Sequence, residues 1–255
     1  MYVNGKQTYD QIAGKLGKSR KWVQKQIDAY FPPMIRLMPQ TTSLVIDAFY
    51  FGMGKGFIVF RSPVIRKNLG WYEITKEKVD DYELGVMELI MEGWTITGVT
   101  VDGKPGVIRR LEKLGLPVQM CHFHQIAIVI RYTTKHPRLP AARELKDLVH
   151  LLPHTDRESF EYWLNQWHIK WEDFLNEKSH DPVKDKWRFT HDRLRKAYRS
   201  LKRHMPNLFT YLRVKNLPNT TNSLDGHFAH IRDKINVHRG LRWDRKMKVI
   251  YELLS

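Results

Sequence analysis

The spacing of apolar positions divides the chain into stretches of different period. Tyr9, Ile12, Ala13 and Leu16 share one helical face, and Trp22, Val23 and Ile27 share another. Thr8 and Ser19 stand where helix N-caps belong, and Gly17 where a helix ends. From Thr42 the pattern changes. "SLVIDAFYFG", "KGFIVFRS" and "NLGWYEIT" read as three successive strands, the first two joined through Gly52 to Gly56. Lys76 to Glu92 returns to helical spacing, with Tyr82, Val86, Leu89 and Ile90 on one side. Thr95 to His124 then predicts a strand ending on Asp102, a glycine turn, a short helix with Pro105 in its first turn, and a strand ending on Cys121 and His124. Strand signals nearly stop after His124. "QIAIVIRYTTKH", "PAARELKDLVHLL", Glu158 to Glu177 and Lys184 to His204 are all expected as helices, and within Asn219 to Leu241 a helix capped by Asn222 or Thr221 is expected to run to about Lys234.

The expected class is α/β, a mixed sheet with a long, mainly helical insertion over about 125–215. Residues 1–31 form a small helix-turn-helix, 32–41 a stiff linker with Pro32, Pro33 and Pro39, and 42–255 the larger domain. A complete DNA-binding module of this type would need further residues upstream. A helix-turn-helix presents its second helix to the major groove, so Ser19, Arg20, Lys21, Gln24 and Lys25 are candidate contacts to phosphates and base edges. A plain helical hairpin with solvated basic residues is the alternative.

Charge sharpens this picture. Lys and Arg outnumber Asp and Glu by 43 to 27, a net of +16, so a polyanion is the expected partner and nucleic acid the first candidate. Lys184 to His204 holds nine basic residues against two acidic ones. Arg195, Lys196, Arg199 and Lys202 on that segment, with Arg239 and Arg242 in a later basic loop, can track phosphates. The 42% apolar content supports a sizeable core, and no apolar run reaches the roughly 18 residues of a membrane span. The single Cys121 excludes an internal disulfide framework and points to a reducing, cytoplasmic setting.

Two aspartates stand out chemically. Asp47 interrupts an apolar strand, where an unpaired carboxylate is costly, and Asp102 closes another strand at its carboxyl end, where ligand chemistry gathers in open α/β sheets. Asp47 can cap a neighbouring loop, and an isolated Asp-Gly is usually a turn. On adjacent strands the two would instead hold a divalent cation, since Mg²⁺ takes oxygen ligands. Asp225 lies in the first turn of the last helix, where the macrodipole alone would favour it. Cys121 with His122 and His124 falls short of the four ligands of a structural zinc.

Taken together, "VIDAFYF", "TVDGKPGV", "CHFH" and "NTTNSLDG" resemble, in order, the motifs of bacterial insertion-sequence transposases of the Mutator-like DDE type, preceded by a helix-turn-helix. The resemblance spans nearly the whole chain. It implies a ribonuclease H-like core in which Asp47, Asp102 and Asp225 are catalytic and bind two Mg²⁺ (or Mn²⁺) ions. It also implies supporting roles for Cys121, His124 and Asn222. The implied activity is binding of double-stranded DNA at terminal inverted repeats, then hydrolysis and strand transfer into target DNA by a homodimer or higher oligomer at the bacterial nucleoid. The separations are 55 residues from Asp47 to Asp102 and 123 from Asp102 to Asp225. One position departs from the pattern: the family's third acid is usually Glu, and Asp225 is a methylene shorter. A chain that only binds DNA, as a decayed transposase would, and a ribonuclease H-like nuclease that cuts without joining are the alternatives.

Overall fold

The structure is a computed structural model that describes residues 2–33, 37–52, 54–183, 185–237 and 241–255. Helices α1 (Tyr9–Leu16) and α2 (Arg20–Ala29) form as their caps dictate. Thr8 and Gln11 make a reciprocal capping box, Gly17 ends α1 in the left-handed region at φ 62°, and the Ser19 side chain accepts from the Trp22 amide.

Five strands follow within one mixed sheet: β1 (Thr41–Tyr50), β2 (Gly56–Ser62), β3 (Lys67–Ile74), β4 (Thr95–Val101) and β5 (Val118–Met120), in spatial order β3-β2-β1-β4-β5. The first three make an antiparallel meander; β4 lies parallel to β1, and β5 parallel to β4. The parallel pairs need crossovers, supplied by α3 (Val79–Met91) and α4 (Val107–Lys113). Alternation along β1 sends Leu44 and Ile46 into a core under these two helices. Val45 and Phe49 point into a second core on the opposite face, built with α10 (Asn222–Val237) and α11 (Trp243–Leu254). Phe49 stacks on Phe228 of α10 with centroids 4.3 Å apart.

The insertion has its own core. It comprises α5 (His122–Thr133), α6 (Pro140–His150), α7 (Arg157–Lys170), α8 (Glu172–Asn176), the two-stranded hairpin β6 (Lys178–Asp181) and β7 (Lys186–Phe189), and α9 (Asp192–Leu208). Several boundaries differ from those the sequence predicts. The strand expected to run to His124 ends at Met120, because the Cys121 amide donates the last bond to Val101 O and helix α5 starts at once. Pro105 lies before α4, whose N-cap is Gly106 at φ 91°. The helix expected over Glu158–Glu177 breaks at Trp171, and the one expected over Lys184–His204 begins at Asp192. Residues 186–189 are strand, which leaves Trp187 70% exposed on the hairpin instead of on a helix's packed side.

The N-terminal helices dock on the two last helices. Arg245 of α11 makes a two-pronged ion pair with Asp28 at 2.6 and 2.7 Å, and Tyr30 donates to Glu252 at 2.7 Å. Lys234 of α10, nearly buried, donates to the carbonyl of Asn4 at 2.8 Å. Among the described residues no helix is long and apolar enough to cross a membrane.

Candidate functional site

The β1–β4 register pairs Val45 with Thr100, and continuing it two residues sets Asp47 beside Asp102. Equal parity turns both toward the α10 face: Val45 and Phe49 flank Asp47 there, and Thr100 Oγ1 donates to Pro218 O at 2.6 Å just before α10. Asp225, in the first turn of α10, comes to the same place because Leu224 and Phe228 anchor that helix on the sheet. Asp102 and Asp225, predicted from scattered motifs, are both brought near enough to Asp47 to act on its carboxyl.

Their electrostatics reflect this crowding. Asp47 is 6% exposed, and burial pushes its carboxyl up to about 7; Asp102 and Asp225 push the same way, and His124 opposes them. Asp102 is also raised, chiefly by burial and further by Glu77, against the Lys104 amide that donates to its Oδ1 at 3.0 Å. Two local donors hold the carboxylates in place, since the Ala48 amide also donates to Asp47 Oδ1 at 2.8 Å. The turn behind Asp102 demands glycine. Gly103 sits at φ 83°, and a Cβ there would overlap the end of the Met120 side chain.

Cys121 is the N-cap of α5 and His124 lies on its first turn, beside Asp47 and Asp102. The Thr221 amide donates to Cys121 Sγ at 3.3 Å, and Thr221 Oγ1 stands 3.5 Å from His124 Nδ1. Burial pulls His124 down, but Cys121, Asp47 and Asp102 outweigh it and raise the imidazole to about 9, so it is cationic at neutral pH. Burial pushes the Cys121 thiol up, and His124 more than reverses this, leaving it below its ordinary value. Asn222 was expected to support the site. It is exposed at the head of α10, and its neighbour Thr221, fully buried, makes these contacts.

Sequence reasoning missed Glu77, Lys104, Tyr82 and Thr221. Glu77 accepts from the Tyr82 hydroxyl at 2.6 Å and lies 3.3 Å from Lys104 Nζ, forming a polar rim next to Asp102. Nothing in the local spacing marks Glu77, which precedes α3 by two residues and joins the site only through the crossover.

Asp47, Asp102 and Asp225 offer oxygen donors only, and burial raises the first two above their ordinary carboxylate values. Among the described residues no group of three or more His, Cys, Asp or Glu side chains is placed so that it could hold a metal ion.

The candidate DNA contacts are scattered. Lys21 and Lys25 are exposed, Gln24 is half-buried, Arg20 lies 3.7 Å from Asp10, and Ser19 is engaged in its cap. Arg195 turns inward, donating to Leu175 O and Asn176 Oδ1 at 2.8 Å each and covering the Phe189 ring, so it braces the insertion. Lys196 pairs with Asp192 at 2.7 Å, Lys202 reaches Glu161 at 3.6 Å, and Arg242 pairs with Asp244 at 3.2 Å. Arg199 is exposed, and Arg239 lies outside the described residues.

Compared with protein-family models and with curated proteins, the chain matches none. Fold and site thus define an α/β protein with a mixed five-stranded sheet and a buried carboxylate cluster at the carboxyl end of β4.

Proposed function

We propose that the chain is a DNA transposase of the DDE type, here with aspartate as its third acid, acting by phosphoryl transfer on a ribonuclease H-like core. The observation that carries this reading is that Asp102 and Asp225 both act on the buried Asp47, on the central strand of a sheet ordered β3-β2-β1-β4-β5. That order, with an antiparallel meander followed by two parallel strands, is the arrangement expected of such a core, and the helical insertion between Asp102 and Asp225 also agrees with it. When bound, divalent ions on these carboxylates would activate an attacking oxygen and stabilise the leaving one.

The chain's own residues prepare for this chemistry. Ala48 and Lys104 amides orient the carboxylates, and the rigid pairing of β1 with β4 keeps the first two in register. His124, cationic beside Cys121, offsets part of the negative charge of Asp47 and Asp102 and is available to a phosphate oxygen. The N-terminal helices, docked through Asp28 and Arg245, present α2 for duplex DNA.

A second reading is favoured by one observation. Asp225 is shorter than glutamate by roughly 1.5 Å, large against the roughly 0.5 Å tolerance of a preorganised site, and among the described residues no three His, Cys, Asp or Glu side chains are placed to hold a metal ion. This is a chain that binds DNA but cuts it poorly. Cleavage and joining of the DNA ends that flank its coding sequence, with Mg²⁺ or Mn²⁺, decides between the two. Activity in the natural chain that is lost in Asp102→Ala supports the transposase reading. Activity only in Asp225→Glu supports the impaired one; binding without cutting in every variant refutes catalysis.

A further inference from the structure

Helix α4 carries consecutive arginines that face different surroundings. Arg110 is neutralised on the α3 side, 3.2 Å from Asp80 and hydrogen-bonded to Glu83. Arg109, about 100° further round the helix, faces the other way, into a groove of about 940 Å³ between α4, α5 and α9. Arg131 of α5 and Arg199 and Arg203 of α9 line the same groove.

Among the described residues no carboxylate lies within ion-pair distance of any of these four arginines. The groove's acid, Glu112, already accepts from Asn207 at 2.8 Å. Four exposed guanidinium groups from three helices on one concave surface repel one another unless an anion lies between them. Gly103, the residue after Asp102, also lines the groove. Ile108, Ile128 and Tyr132 add apolar wall between the charges.

We propose that this groove binds one strand of DNA through its phosphodiester backbone and leads it to the Asp102 turn. Repeated phosphates match several arginines without carboxylate partners on one surface, and the apolar wall accommodates sugars and bases, the combination that holds single strands without sequence preference. The inference rests on the phosphoryl-transfer reading for the identity of the polyanion, and it adds Arg109, Arg131 and Arg203 to the basic residues that the charge pattern singles out.

The test uses the full chain and a fluorescein-labelled 20-nucleotide single-stranded DNA, read by fluorescence anisotropy across a salt series in EDTA. Arg109→Ala/Arg131→Ala/Arg199→Ala is compared with Arg143→Ala/Lys186→Ala/Lys215→Ala, which removes equal charge from exposed positions outside the groove. The groove variant is expected to bind at least about 10-fold more weakly, and its slope of log affinity against log salt to fall by about 2, from three lost contacts at roughly 0.7 each. The control variant is expected to keep the natural slope. Equal slopes in the natural chain and the groove variant, or equal losses in both variants, would overturn the proposal. So would displacement of the DNA by polyglutamate at equal charge concentration, which would mark a general polyanion surface. Because no metal is present, DNA binding through the groove survives a failure of catalysis, and an active enzyme with an indifferent groove refutes only the groove.

Discussion

Asp47→Asn offers a direct measure of how much the carboxylate cluster costs the fold. Burial beside Asp102 and Asp225 raises Asp47 from 3.8 to about 7, so the native chain holds a proton that the unfolded chain has released. Stability therefore falls as pH rises from about 4 to 7 and stays lost above that. A shift of that size at about 1.4 kcal/mol per unit corresponds to about 4 kcal/mol at pH 8, and to under half of it at pH 5. Asparagine keeps the shape and the acceptor for the Ala48 amide while removing the charge. In EDTA at pH 8 the variant is expected to melt above the natural chain by about 8–16 °C, at roughly 2–4 °C per kcal/mol for a chain of this size. The gap should narrow by more than half at pH 5. Millimolar Mg²⁺ should raise the Tm of the natural chain and leave the variant nearly unchanged, because only the former gains an ion for its crowded carboxylates. Calorimetry at both pH values checks this. A variant that melts at or below the natural chain at pH 8, with no narrowing at pH 5, would refute the idea that Asp47 is a buried charge waiting for a cation.

Two further outcomes follow from particular contacts. Gly103→Ala forces a side chain into the positive-φ region and against Met120, so it should cost about 2–3 kcal/mol in denaturant unfolding and reduce any cleavage activity, whereas Gly115→Ala, also at positive φ but in open space, should cost only about 1–2. Arg245→Ala removes the clamp on Asp28; because Asp28 is 40% exposed, global stability should drop by less than about 1 kcal/mol, yet limited proteolysis should release the N-terminal helices sooner, and unchanged cleavage kinetics would show that the clamp is idle.

Much of this protein is determined by the sequence alone wherever the determinant is local. Thr8 with Gln11, Gly17 and Ser19 set the ends of α1 and α2 through bonds spanning three or four residues. The nearly continuous apolar runs "SLVIDAFY" and "GFIVFRS" set two paired strands buried on both faces, because side chains of either parity need an apolar core to enter. Asp47 and Asp102 were legible as candidates because a carboxylate in or just after an apolar strand is costly without a purpose. Their partnership was not legible. It depends on β4 crossing back to lie parallel to β1, and on α10 packing Phe228 against Phe49 more than a hundred residues away. The same holds for Glu77, Thr221 and the arginines of the groove, which come together only when helices from separate segments pack. The insertion was misread where local signals compete: Lys186–Phe189 has a helix former's charge pattern, but pairing with Lys178–Asp181 makes it strand and exposes Trp187. Local chemistry names the elements and suspect residues; the pairing of strands and the docking of helices decide which of those residues face one another, since that energy is shared among contacts distant in the chain.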